Sequence, residues 1–218
     1  MKVIHPSDLE VPTLESCAVE SPMQRYWAHA DEMERKSWKG SVELNINILF
    51  IIGGDGTLRG ASQISAESQR RNHPISVVSI PKTIDNDIMF TDKSFGYDTA
   101  CAAAVEAIKA AHAEAPTVRN GVGLVKLMGR HSGFIAWSAA LATSEVDFVL
   151  IPEVSITLEA ENGFLEALHQ RIRRTGHALI VVAEGAGQEL FDDSDRDTDL
   201  SGKVLLKDIG LLLEGHMT

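Results

Sequence analysis

The chain has 218 residues, 44% hydrophobic and 23% charged, which excludes a mostly disordered polymer and fits one or two folded domains. Its 31 acidic residues against 20 Lys and Arg give a net charge of −11 with no basic block, so no nucleic acid and no anionic membrane surface is expected as a partner. Cys17 and Cys101 are too few for a disulfide scaffold, no apolar run approaches the ~18 residues of a membrane span, and Met1 to Pro6 shows no secretory leader, so the expectation is a soluble, cytoplasmic protein.

Residues 1–40 are punctuated by Pro6, Pro12 and Pro22, and only 22–39, with Trp27, Met33 and Trp38, read as an amphipathic helix. From Ile46 the pattern changes. The β-branched apolar run 46–52 stops at Gly53-Gly54, as expected of a strand buried on both faces of a parallel sheet. A helix is predicted over 58–71, a second buried strand over 75–80 before Pro81, and an alanine-rich helix over 97–115 before Pro116. A strand at 121–128, a helix at 133–143 and a strand at 148–151 follow. The last pair is a helix at 163–174, with Arg171, Arg173 and Arg174 in its final turn, and a strand at 178–183. Residues 192–199, with five aspartates, read as a solvated loop. Strands alternating with helices argue for an α/β fold with mostly parallel strands, which binds its ligands at the carboxyl ends of those strands.

The unusual residues lie at those ends. Gly53-Gly54-Asp55-Gly56-Thr57 follows the first strand: its glycines admit a ligand close to the backbone, and the helix start supplies N–H groups for phosphate. Asp55 is a candidate Mg²⁺ ligand, because that ion takes one or two carboxylates together with phosphate oxygens. Pro81-Lys82-Thr83-Ile84-Asp85-Asn86-Asp87 follows the second strand. Phosphoryl transfer needs a carboxylate to deprotonate the attacking hydroxyl and cations to absorb charge, and Asp85 and Asp87 can divide the roles of base and metal contact.

The glycine turn alone resembles phosphofructokinases, NAD kinases and diacylglycerol kinases. Four further stretches narrow this: 81–87, Lys126-Leu127-Met128-Gly129-Arg130-His131-Ser132-Gly133-Phe134-Ile135-Ala136, Ile151-Pro152-Glu153 and Ala183-Glu184-Gly185-Ala186-Gly187-Gln188. Together they resemble the phosphofructokinase family, in its longer branch of plant-like and pyrophosphate enzymes, from about Ile46 to Leu213. The resemblance implies a three-layer α/β/α fold with mostly parallel sheets in two Rossmann-like subdomains. Donor and Mg²⁺ binding are expected in 41–118 and sugar-phosphate binding in 119–218, after an irregular or helical segment at 1–40.

It also implies residue roles. Gly53, Gly54, Gly56 and Thr57 would line the phosphoryl-donor site, with Asp55 on Mg²⁺. Thr83 would touch the transferring group, Asp85 would take the proton of the sugar 1-hydroxyl, and Asp87 would be a second acidic contact near Mg²⁺. Met128, Gly129 and Arg130 would hold fructose 6-phosphate, with Glu153 on its hydroxyls. In this family Gly after the motif Asp marks ATP users, and Lys before the TIDND threonine marks pyrophosphate enzymes. The combination of Gly56 and Lys82 is similar to the plant-like ATP enzymes, so ATP is the expected donor and pyrophosphate the alternative.

Histidines 112, 131, 169 and 177 lack metal spacing, Cys101 is expected to pack, and Lys93 and Asp98 are expected to shape the loop after Asp87. The family's first glycine-rich turn has no counterpart before Gly53, nor does its later Arg- and His-bearing segment, so the fold is expected to be incomplete at both ends. The expected activity is ATP-dependent 6-phosphofructokinase, in a dimer or tetramer of identical chains. A pyrophosphate-dependent enzyme or a truncated non-catalytic homologue is the alternative.

Overall fold

The computed structural model describes residues 3–4, 46–73, 75–192 and 204–217. The predicted helix at 22–39 and all but Asp192 of the aspartate-rich loop lie outside these residues. In chain order the elements are β1 (Val3–Ile4), β2 (Ile48–Gly53), α1 (Asp55–Arg70), β3 (Ser76–Pro81), α2 (Tyr97–Glu114), β4 (Gly121–Leu127), α3 (Phe134–Thr143), β5 (Phe148–Leu150), α4 (Phe164–Thr175), β6 (His177–Ala183) and α5 (Ile209–Met217). Among the described residues, no helix is long and apolar enough to cross a membrane.

Two parallel sheets result. The large one has strand order β1-β4-β6-β5, and the small one pairs β2 with β3. The large sheet is the middle of three layers. On one face, Val122, Leu124, Ile180 and Val182 meet Leu168 and Ile172 of α4 and Ile209, Leu213 and Met217 of α5. On the other, Val125, Leu179 and Val181 meet Ala100, Ala104 and Ala111 of α2 and Ile135, Ala136 and Ala139 of α3. The alanines let α2 and α3 seat closely, since most of the side chains they bury here are small. Ala178 through Ala183 are all fully buried, as expected of a strand covered on both faces.

The small sheet corrects one expectation. Its β2 is apolar throughout, but Ile48, Phe50 and Ile52 are 57%, 64% and 61% exposed, whereas Ile51 is buried. Successive side chains of a strand point to opposite faces, and among the described residues α1 covers one face of this sheet. A continuous apolar run does not by itself put a helix on each side.

Candidate active site

The register Gly53↔Pro81 sets the glycine turn beside the loop after β3, and the Lys82 N–H donates to the Gly53 carbonyl at 2.8 Å. Gly54 is the N-cap of α1, with extended backbone, and its carbonyl accepts the Leu58 N–H at 3.0 Å. The helix therefore begins at Asp55, three residues before the predicted start, so Asp55, Gly56 and Thr57 form its first turn and their N–H groups have no intrahelical acceptor. A Cβ on Gly56 would meet nothing within 4 Å, so packing leaves room for a ligand there. The Asp55 carboxylate pairs with Arg59 at 2.9 Å, and both side chains are mostly exposed; such a pair is weak enough to yield to a cation. Asp55 and Asp87, both exposed, offer the hard oxygens that Mg²⁺ takes alongside phosphate oxygens.

The irregular crossing 82–96 carries Lys82, Thr83, Asp85 and Asp87, and a polar network holds its shape. The Thr83 N–H donates to Ser94 Oγ at 2.6 Å, the Ser94 N–H to Asn86 Oδ1 at 2.7 Å, and Asn86 Nδ2 to the Asp92 carbonyl at 3.2 Å. The Asp85 N–H donates to Thr83 Oγ1 at 3.3 Å. Asn86 has φ +56°, a left-handed conformation that asparagine tolerates better than most side chains. Lys93 reaches both carboxylate oxygens of Asp98 at 3.0 Å, which fastens the crossing to the first turn of α2 and raises the Lys93 ammonium above its ordinary range. These two residues thus shape the loop, as expected.

The ends of β4, β5 and β6 lie side by side, with Leu127 paired to Ala183 and Leu150 to Val182. Met128-Gly129-Arg130 leaves β4 with Gly129 at φ +140°, where a Cβ would stand 2.4 Å from the Ser132 carbonyl oxygen. The turn after β6 supports it: the Gly185 N–H donates to the Gly129 carbonyl at 3.0 Å, and a Cβ on Gly185 would lie 1.9 Å from the Arg130 carbonyl oxygen. The Gly133 N–H, at the start of α3, donates to both Glu153 carboxylate oxygens at 2.9 and 3.1 Å. Glu153 is exposed and retains acceptor capacity for further donors. Arg130 Nη2 donates to the Val204 carbonyl.

Direct contacts therefore join the motifs in series. Lys82 meets Gly53, Ser132 Oγ donates to the Asp85 carbonyl at 3.1 Å, Gly129 meets Gly185, and Gly133 meets Glu153. A cavity of about 290 Å³ lies nearby, lined by Val149, Ile151, Val154, Ile156 and Phe164 among others, but its lining includes none of the motif residues except Ile151.

Lys126, Ser132 and Gln188 lie in the motif stretches quoted above, but neither they nor Ser94 and Asp208 were expected to brace these loops. Ser94 and Ser132 are buried, yet an isolated serine carries no periodic signal. Gln188 holds the Lys207 backbone through Nε2 to its carbonyl at 2.9 Å and Oε1 from its N–H at 3.1 Å. Lys126 pairs with Asp208 at 2.6 Å across 82 positions. Asp208 Oδ1 also accepts the Gly210 N–H at 2.8 Å. Burial pushes the Asp208 carboxyl up, but Lys126 and the Leu211 and Gly210 N–H groups outweigh it and hold the group below the ordinary carboxylate range.

A family model described as phosphofructokinase matches residues 21–214. The chain is 49% identical over 181 residues to the ATP-dependent 6-phosphofructokinase of Borreliella burgdorferi, and 56% identical over 170 residues to ATP-dependent 6-phosphofructokinase 7 of Arabidopsis thaliana. These matches cover 80% and 77% of this chain but 40% and 35% of the two relatives, so it spans less than half their length. Among solved structures, phosphofructokinase of Pichia pastoris in the T-state is similar with a TM-score of 0.61 and 26% identity, over 73% of this chain and 18% of that one. A pyrophosphate-dependent phosphofructokinase from Marinobacter aquaeolei is similar with a TM-score of 0.54 and 29% identity, over 75% of this chain and 41% of that one. Five motifs in order on a layered parallel α/β scaffold, with relatives near 50% identity, make the chain a member of the phosphofructokinase family.

Proposed function

We propose that the chain carries the catalytic centre of an ATP-dependent 6-phosphofructokinase. The observation that carries this reading is the meeting of motif loops from two parallel sheets at their strand ends, where the Asp85 loop touches both the glycine turn and the Met-Gly-Arg turn. Fructose 6-phosphate is held by Met128, Gly129 and Arg130, with Glu153 accepting from its hydroxyls. Asp85 accepts the proton of the 1-hydroxyl as that oxygen attacks the γ-phosphorus of ATP. The bond from phosphorus to the ADP oxygen breaks, giving fructose 1,6-bisphosphate and ADP. Thr83 and Lys82 face the transferring group, and Gly53, Gly54, Gly56 and Thr57 cradle the donor. Asp55 and Asp87 would hold Mg²⁺, which when bound would supply charge neutralisation on the donor phosphates.

Two observations support ATP over pyrophosphate: the open space at Gly56 and the ATP-dependent relatives near 50% identity. Lys82 serves either donor, because an ammonium neutralises phosphoryl charge in both. Assembly into a dimer or tetramer belongs to the same reading. Phe134, Trp137 and Leu141, exposed along one side of α3, are surface that an assembly would cover.

The test is a coupled assay with fructose 6-phosphate, Mg²⁺ and either ATP or pyrophosphate. Turnover with ATP is expected, and Asp85→Ser is expected to lower it by at least ~10²–10⁴-fold. Turnover with pyrophosphate alone reverses the donor assignment. A folded chain inactive with both donors supports the non-catalytic homologue instead, and an unaffected Asp85→Ser rate removes Asp85 as the base.

A further inference from the structure

We propose that Ser132 is a positioning residue that fixes Asp85 relative to the sugar-phosphate turn, so that the two halves of the site act as one; this rests on the kinase reading above. Asp85 lies on the crossing 82–96, which leaves the small sheet at β3 and joins the large-sheet layer at α2. The Met128-to-Gly133 turn belongs to the large sheet. No described strand pairs the two sheets, so side chains must set the distance between base and substrate turn.

Tyr97 ties the helices together, with its hydroxyl 2.6 Å from Ser138 Oγ and donating to the Phe134 carbonyl at 3.3 Å. Ser132 reaches the crossing itself, at the backbone of Asp85. It is only 5% exposed, so water does not compete freely for this bond, and without the hydroxyl a partly buried carbonyl loses a donor. The neighbours of Ser132 leave little slack. Gly133 is held by Glu153 and Gly129 by Gly185, so a shift of the turn on binding phosphate passes to the Asp85 backbone. The Asp85 N–H bond to Thr83 Oγ1 extends the same path to the residue that faces the transferring phosphoryl group.

Ser132→Ala removes one oxygen from the interior, and Ser132→Cys keeps a weak donor at similar volume. The alanine variant is expected to lower kcat on the order of ten-fold while the Kd of fructose 6-phosphate stays within about two-fold, and the cysteine variant is expected to recover part of the rate. Binding of fructose 6-phosphate is expected to slow amide hydrogen exchange at Asp85–Asp87 in the unmodified chain and not in Ser132→Ala. If the alanine variant does not fold, Ser132→Cys carries the same comparison, with an intermediate loss expected. Unchanged kcat and an unchanged exchange response overturn the positioning role and leave the kinase reading intact. Failure of the unmodified chain to bind fructose 6-phosphate overturns both.

Discussion

The large and small sheets are both parallel and both built from apolar, β-branched strands, but helices cover the large one on two faces, whereas α1 covers the small one on one face among the described residues. Their covering helices also differ. α4 and α5 bury Leu168, Ile172, Ile209 and Leu213, whereas α1 buries Gly60, Ala61, Glu67 and Ser68. Apolar packing holds the large half together. At the C-terminal end of α1 a charge cluster forms within the helix and its cap: Arg70 Nε donates to Glu67 at 2.6 Å, and Arg71 also donates to the Glu67 carboxylate. The consequence for the candidate site is an asymmetry, with the Met128-Gly129-Arg130 turn on a sheet covered on both faces and the Gly53–Thr57 turn on one covered, among the described residues, on a single face.

That asymmetry can be broken at three points. Ile180→Ala, in the fully buried β6, is expected to cost ~2–5 kcal/mol in equilibrium denaturation, because cavity and transfer terms add. A loss well under ~1 kcal/mol would mean that the large sheet is less tightly packed than its burial implies. Glu67 is held at about 2 against an ordinary value of 4.5, first by hydrogen bonds from Arg70 and then Arg71. Because the folded-state value is depressed, this stabilisation is complete above pH 4.5 and fades as pH falls towards about 2. Glu67→Gln is therefore expected to flatten the acid limb of the stability profile and to lower stability at neutral pH. Acid titration followed by circular dichroism measures this, and an unchanged limb would show that the cluster does not hold α1. The smallest effect is expected from Phe50→Ser, on the exposed face of β2, where stability should change by no more than ~0.5 kcal/mol. A large loss in a thermal melt would show that this face is covered in solution.

Much of the fold, and the placement of the motif residues at strand ends, was legible in the sequence for physical reasons. The apolar runs ending in Gly53 and Pro81 read as strands because continuous burial of β-branched residues is characteristic of parallel sheets, and the structure has β2 and β3 there. The helix α1 begins three residues earlier than its sequence suggests, because Gly53 to Thr57 reads as turn chemistry whereas an extended Gly54 lets the helix begin at Asp55. The burial of β2 was overestimated because its sequence cannot report how many helices face it. The hydrogen bonds of Ser94, Gln188 and Asp208 were illegible, since each depends on a partner that only the folded loops bring close.

What the sequence alone determined is the set of reactive groups and their order. Carboxylates, glycines, a lysine and an arginine stand at the ends of apolar runs and carry the resemblance to the phosphofructokinase family, because local spacing decides which groups share a strand end. What only the tertiary structure decided is how those ends meet. Strand register puts Gly53 beside Pro81 and Leu127 beside Ala183, and the crossing between sheets leaves Ser132 to join Asp85 to the Arg130 turn. Such contacts join residues 28 to 56 positions apart, and their geometry depends on layer packing, which no local pattern of residues encodes.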